Sequence, residues 1–168
     1  MRRALEFASG RNTMDFEEVL KQSSFCLHLE SDTKEGIIDE LLNAMVRDGS
    51  ISDRDAARQA VMEREDKMST GMQFGVAIPH GKTATIDHLA TAFGLKPEGV
   101  DFNSLDGEPS RIFVMTVSST NRTGPHIKYL AQIGKMLNRP DIREKLLHAE
   151  NVEQVIEMLT GGEDGSGS

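Results

Sequence analysis

Gly75-Val76-Ala77-Ile78-Pro79-His80-Gly81-Lys82-Thr83 is the stretch on which the reading of this chain turns. Val76 to Ile78 form a short apolar run of the kind that ends a buried strand. Pro79 fixes its own φ and has no N–H for a ladder, so the strand is expected to stop there. His80 follows at once, and Gly81 permits a tight bend and a close backbone approach. Lys82 and Thr83 add a cation and a hydroxyl. A neutral imidazole beside such donors can attack or carry an anionic group. A histidine at a strand end can equally be a plain core residue. The segment nearly matches a nucleotide-binding loop, which needs four residues between its first glycine and Gly-Lys-Thr. Here five intervene, Val76 to His80, and one is a proline. That spacing excludes an ATPase or GTPase of the P-loop kind.

Outward from this segment, helical and extended patterns alternate. Asp15 can cap a short helix through Phe16, Val19 and Leu20. Phe25 to Leu29 alternate as a strand. Thr33 can cap a helix with Ile37, Ile38, Leu41, Leu42 and Met45 inward. Ser52 or Asp53 opens another, through Ala56, Ala57, Ala60 and Val61 to about Glu65. Leu89–Leu95 and Ile112–Val117 are further strand candidates. Pro125 suits the first turn of a helix carrying Ile127, Leu130, Ala131, Ile133, Gly134 and Leu137 on its apolar face. Pro140 begins a helix through Ile142, Leu146 and Leu147, and Asn151 caps a last one with Val155, Ile156 and Leu159. Strands interleaved with helices predict an α/β fold, a central sheet covered by helices.

The 168 residues suit one compact domain. Residues 1–14 read as a tail or linker, 15–160 as the domain, and the Gly/Ser-rich 161–168 as a flexible tail. The net charge of −8 argues against a nucleic-acid partner and fits a soluble protein that meets a basic partner surface. No apolar run reaches the ~18 residues of a spanning helix, so no direct membrane insertion is expected. The N-terminus lacks the apolar core of a secretory signal. The single cysteine, Cys26, sits in an apolar run, which suits a buried strand residue in a reducing, cytoplasmic setting.

Of the five histidines, His28, His88 and His148 have ordinary surface or turn readings. His126 stands in Asn121-Arg122-Thr123-Gly124-Pro125-His126, at an expected helix start, where free N–H groups and the dipole favour an anion. Simple surface exposure would explain it as well. Arg64, in Met62-Glu63-Arg64-Glu65, reads as a solvated helix end, although a guanidinium fork also suits phosphate oxygens. Ser69 and Thr70 could donate to phosphate or to their own backbone. Met72 and Phe74 could form an apolar rim for a partner.

Ile78-Pro79-His80, the Glu63-Arg64-Glu65 segment 16 residues before His80, Ser69-Thr70-Gly71, and Pro125-His126 46 residues after it form one pattern. Together they resemble the enzyme IIA domain of the bacterial phosphoenolpyruvate-dependent phosphotransferase system (PTS), of the fructose/mannitol type that includes the nitrogen-regulatory branch. The resemblance covers roughly Asp15 to Leu159. It implies a mixed, mostly five-stranded sheet with helices on both faces. It implies His80 as phosphoryl acceptor, with Arg64 and His126 stabilising the phosphoryl group and Lys82 a weaker candidate. It also implies an HPr-like donor, a cysteine of enzyme IIB or a regulated target protein downstream, and no cofactor or metal. Met72-Gln73-Phe74 departs from the glycines and asparagine usual in the family, which bears on partner choice. Attack needs a neutral ring, so uptake is expected to fall below roughly pH 6. A phosphorylation-dependent regulatory module without a transport role is the alternative function. A metal-dependent hydrolase using His80, His126 and a carboxylate is a remote one, because local His-Glu-x-x-His spacing is absent.

Overall fold

A computed structural model describes residues 15–121 and 124–165. The tail expected at 1–14 and the Arg122-Thr123 pair lie outside the described residues. The elements run α1 (Phe16–Lys21), β1 (Ser24–Cys26), α2 (Lys34–Arg47), α3 (Arg54–Lys67), β2 (Val76–Ala77), β3 (His80–Thr83), β4 (Ala90–Val100), β5 (Ser110–Ser119), α4 (Gly124–Leu137), α5 (Pro140–Leu146) and α6 (Val152–Gly165).

Helix starts follow local side-chain chemistry, because the first N–H groups of a helix need outside acceptors. Asp15 accepts from the N–H groups of Glu17 and Glu18, Thr33 from Gly36, Asp53 from Ala56 and Asn151 from Gln154. Pro140 occupies the first turn of α5. At the other end of the chain, α6 continues through the Gly161-Gly162 pair to Gly165, into the stretch read from composition as tail.

The sheet is mixed and has five strands. Its order is β1-β4-β5-β2, with β3 also paired to β5. β1 runs parallel to β4, β4 antiparallel to β5, and β2 and β3 both parallel to β5. Alternation along the strands sorts the core into two faces. Ala77, Ala92, Phe113, Met115 and Val117 pack with α2 and α3. Val76, Phe93, Leu95, Ile112 and Val114 pack with α1, α4, α5 and α6. Helices therefore cover both faces.

β2 ends at Ala77, before Pro79, and β3 begins at His80 just after it. β2 pairs with Ile112 and Phe113, and β3 resumes along the same edge of β5 with His80 opposite Thr116. Pro79 has no N–H to give the ladder, which breaks there, but its carbonyl takes the Thr116 N–H at 3.1 Å and the chain rejoins β5 at once. On the outer edge of β2, Met72 N–H donates to Val76 O and Ile78 N–H donates to Thr70 O. Those bonds fold the 70–72 segment back over the edge and shield it from outside pairing.

Gly81 is a strand residue rather than the pivot of a bend. Parallel pairing alternates faces, so His80, opposite Thr116, points toward α4, and Gly81, opposite Val117, points toward α3. A Cβ on Gly81 would stand 2.7 Å from the Ala60 carbonyl carbon and the Val61 nitrogen. The missing side chain is what lets α3 lie close to β3. Gly81→Ala should therefore push α3 and β3 apart and cost about 1–3 kcal/mol, the usual range for overpacking. Chemical denaturation checks this, and an unchanged midpoint would contradict the close approach.

α4 also differs in phase from its expected apolar face. Its buried residues are His126, Tyr129, Ile133, Met136 and Leu137. Ile127, read as inward, is 61% exposed. A histidine takes the inward position of the first turn, and that rotates Ile127 into solvent.

Candidate active site

His80 and His126 meet where β3 and the first turn of α4 converge. Their ring centroids are 5.4 Å apart and their planes are inclined by 58°. β3 presents His80 half-buried, with Gly81 anchoring the backbone behind it. His126 is 3% exposed.

His80 Nδ1 lies 2.9 Å from the Ile78 carbonyl oxygen. A carbonyl only accepts, so Nδ1 carries the proton and donates. Nε2 is then the nitrogen with the lone pair. The Ile78 backbone is itself fixed by its N–H bond to Thr70 O. Sequence could not assign this tautomer, because the acceptor is a backbone carbonyl two residues back.

Burial pushes the His80 pKa below the ordinary imidazole value. The bond to Ile78 opposes that, Arg64 and Lys82 lower it further, and Glu65 pulls it up. For His126, burial, His80 and Lys82 together lower the pKa to about 4. Both rings are thus neutral near pH 7. The expected acid limit near pH 6 moves lower, since protonation of His80 is disfavoured. An NMR titration should find the His80 midpoint below 6.5 and that of His126 below it again. A His80 midpoint at or above 6.5 would contradict the electrostatics.

Two cations bear on this pair. Lys82 is exposed on β3 and, two residues along, shares His80's face of the strand. Its charge acts on both histidines, whereas Arg64 acts on His80. Arg64 sits in the last turn of α3 and donates to the Met68 carbonyl at 2.7 Å, which steers it across the helix end. Lys82 therefore has a stronger geometric claim than sequence suggested.

The remaining sequence candidates lie elsewhere or are occupied. The Ser69 hydroxyl donates to Phe102 O and accepts the Gly71 N–H. The Thr70 hydroxyl donates to Glu65 Oε1 at 2.5 Å. Both hydroxyl hydrogens serve the turn. Phe74 sits in the turn that precedes β2, at the far end of that strand from His80. Its ring stacks on the Arg143 guanidinium at 4.5 Å, and its N–H, in a left-handed backbone (φ 63°), donates to Asp106. Met72 is exposed beside β2, also displaced from His80. The exposed apolar residues adjoining the site are Met68 (66%), whose carbonyl receives Arg64, and Ile127, next to His126. Neither carried a sequence signal: Met68 falls beyond the expected helix end near Glu65, and Ile127 looked like core.

Sequence reasoning also missed Glu65. It is a buried acid that accepts from Lys34 Nζ at 2.9 Å and from both the N–H and the hydroxyl of Thr70. Desolvation raises its pKa, but the bonds from Thr70 and Lys34 outweigh it and hold the carboxylate ionised below its usual range. Cys26 is half-buried on β1, and burial raises its thiol pKa. Among the described residues, no group of three His, Cys, Asp or Glu side chains is arranged to hold a metal ion. No helix among them is long and apolar enough to cross a membrane.

Two histidines and two cations gathered at one sheet edge define a domain equipped to handle an anionic group. The chain belongs to the family described as phosphoenolpyruvate-dependent sugar phosphotransferase system, EIIA 2, whose model matches residues 18–161. EIIA components are phosphotransfer proteins. The chain is 36% identical over 146 residues to a PTS system fructose-specific EIIABC component of Bacillus subtilis, covering 87% of this chain and 23% of that protein. It is 39% identical over 127 residues to a fructose-specific EIIA component of Haloferax volcanii, covering 76% of this chain and 82% of that protein. Among solved structures, nitrogen regulatory protein IIA-Ntr of Neisseria meningitidis superposes with a TM-score of 0.77 at 31% identity, over 86% of this chain and 98% of that one.

Proposed function

We propose that this chain is a histidine phosphocarrier that accepts a phosphoryl group on Nε2 of His80 from an HPr-like protein and passes it to an enzyme IIB. The observation that carries the reading is the Nδ1–H bond to Ile78 O, which leaves Nε2 as the only nucleophilic nitrogen of a neutral ring.

In this reading the Nε2 lone pair attacks phosphorus as the donor's P–N bond breaks, and the donor imidazole keeps that electron pair. The His80 ring becomes positively charged as it takes the phosphoryl group. Its Nδ1–H, already on the Ile78 carbonyl, helps to disperse that charge. The transition state is loose, so the protein contributes position and charge. Arg64, Lys82 and an N–H of His126 bind the phosphoryl oxygens. Met68 and Ile127 supply an apolar rim for either partner. An E. coli complex of enzyme IIA-mannitol with phosphorylated enzyme IIB-mannitol, 25% identical with a TM-score of 0.70, over 82% of this chain and 94% of that one, supports such a relay.

The likeness to nitrogen regulatory IIA-Ntr favours a second reading, in which the phosphorylation state of His80 controls binding to a target protein. Offering the phosphorylated chain to a panel of IIB domains separates the two. Rapid discharge to one of them is the expected result. Phosphorylation-dependent binding without discharge would transfer the case to the regulatory reading.

A further inference from the structure

The mechanism employs His126, and something must decide which of its nitrogens holds the proton. Among the described residues, the buried side-chain polar atoms without a hydrogen-bond partner are Ser50 Oγ, Thr116 Oγ1, Ser118 Oγ and His126 Nδ1. Ser50 precedes α3. The other three belong to the corner where β3, β5 and α4 meet.

The sheet register places Thr116 there. It lies opposite His80 on one side and opposite Thr91 on the other. Val114 packs with the α4 side, while Met115 and Val117 pack with the α3 side, so strand alternation turns Thr116 toward α4. That helix bridges the same row. His126 stands beside His80, and Tyr129, one turn on, hydrogen-bonds with Ser23 and Thr91. Ser23 and Thr91 also bond each other. Along the row from His80 to Thr91, the Thr116 hydroxyl is the one left unengaged. Ser118 stands a step further out, opposite Lys82.

A neutral imidazole has one N–H and one acceptor nitrogen. To donate to a phosphoryl oxygen from Nε2, His126 must carry its proton there and accept at Nδ1. Nδ1 is the buried, unpartnered atom, and a hydroxyl is the group able to donate to it. We propose that Thr116 is a positioning residue for His126: its hydroxyl, which makes no direct bond to Nδ1, donates to it through one water and fixes the proton on Nε2. The inference rests on the phosphocarrier reading for its purpose, but the hydrogen bond itself precedes any phosphorylation.

The test is a two-bond ¹H–¹⁵N correlation on unphosphorylated ¹⁵N-labelled protein, which reports the tautomer of each histidine. Wild type should show His126 as Nε2–H. Thr116→Val, nearly isosteric and lacking only the hydroxyl, should yield a mixed or Nδ1–H population, while Thr116→Ser should keep the wild-type pattern. Phosphoryl acceptance should fall about five- to tenfold in Thr116→Val, as expected for one lost hydrogen bond, and stay near wild type in Thr116→Ser. A His126 tautomer unchanged in Thr116→Val overturns the proposal, and so does the same shift produced by Ser118→Ala instead. Either outcome leaves His80 as acceptor standing. Conversely, label retained in His80→Ala removes the phosphocarrier site even if the tautomer responds as stated.

Discussion

His80→Ala is expected to abolish phosphoryl acceptance and leave the fold in place. The side chain is half-buried, and its hydrogen bond goes to the Ile78 carbonyl. Losing that bond costs about 1 kcal/mol, a small part of a domain's stability. The other described histidines are poorly placed to substitute. His126 is almost wholly covered. His88 is held between Asp87 and the Ser50 carbonyl. His148 is exposed just past the end of α5, with Nδ1 on Glu144 O, and His28 follows β1, at the other edge of the sheet. The measurement is transfer of label from phosphoenolpyruvate through enzyme I and the donor. Wild type should gain acid-labile, base-stable label, the signature of a P–N bond. Label of that kind persisting in His80→Ala would remove His80 from the mechanism. A variant that neither takes label nor unfolds cooperatively would be uninformative, so the comparison is made at matched denaturation midpoints.

Much of this architecture was legible because it is set locally. A capping carboxylate or hydroxyl needs only the next three residues, and Asp15, Thr33, Asp53 and Asn151 all cap as the sequence suggested. Features decided by a partner element were not legible. Pro79 does interrupt the edge, as its missing N–H suggested, but that the chain rejoins β5 directly beyond it is decided by β5. The helix phase of α4 was ambiguous because its inward first-turn residue is a histidine, so an apolar pattern placed Ile127 inside. Phe74 is near His80 in sequence, but it sits in the turn at the opposite end of β2. Gly81 carried the right property with the wrong use, close approach rather than a bend. The sequence spacing of Arg64 and His126 from His80 was visible only through resemblance to a family. Helix and sheet geometry then brings His126 to His80 and sets Arg64's charge within reach of it.

Glu65→Ala is expected to be the most destabilising single change near the site, by about 3–5 kcal/mol, the usual result of breaking a buried ion pair from one side. The Glu65 side chain is 2% exposed and that of Lys34 14%. Removing the carboxylate strands the Lys34 ammonium and leaves the Thr70 N–H and hydroxyl without their acceptor. It also separates three elements, since this one group ties the start of α2 to the end of α3 and to the turn after it. That turn holds Ile78 through Thr70 O, and Ile78 O orients His80. Phosphoryl acceptance should therefore slow along with the loss of stability, although Glu65 has no role at phosphorus. Glu65→Gln keeps an acceptor for Thr70 and loses only the charge, so its cost should be smaller. The pH dependence has a definite sign. A carboxylate held below its usual pKa stabilises the fold above the unfolded-state value and loses that contribution as pH falls through the lowered one. The gap between wild type and Glu65→Ala should thus be constant at neutral pH and narrow in acid. Urea unfolding at several pH values, with unchanged m-values, measures it. A gap below about 1 kcal/mol at pH 7 would mean that Lys34 and Thr70 find other partners, and that the turn behind His80 does not depend on this buried charge.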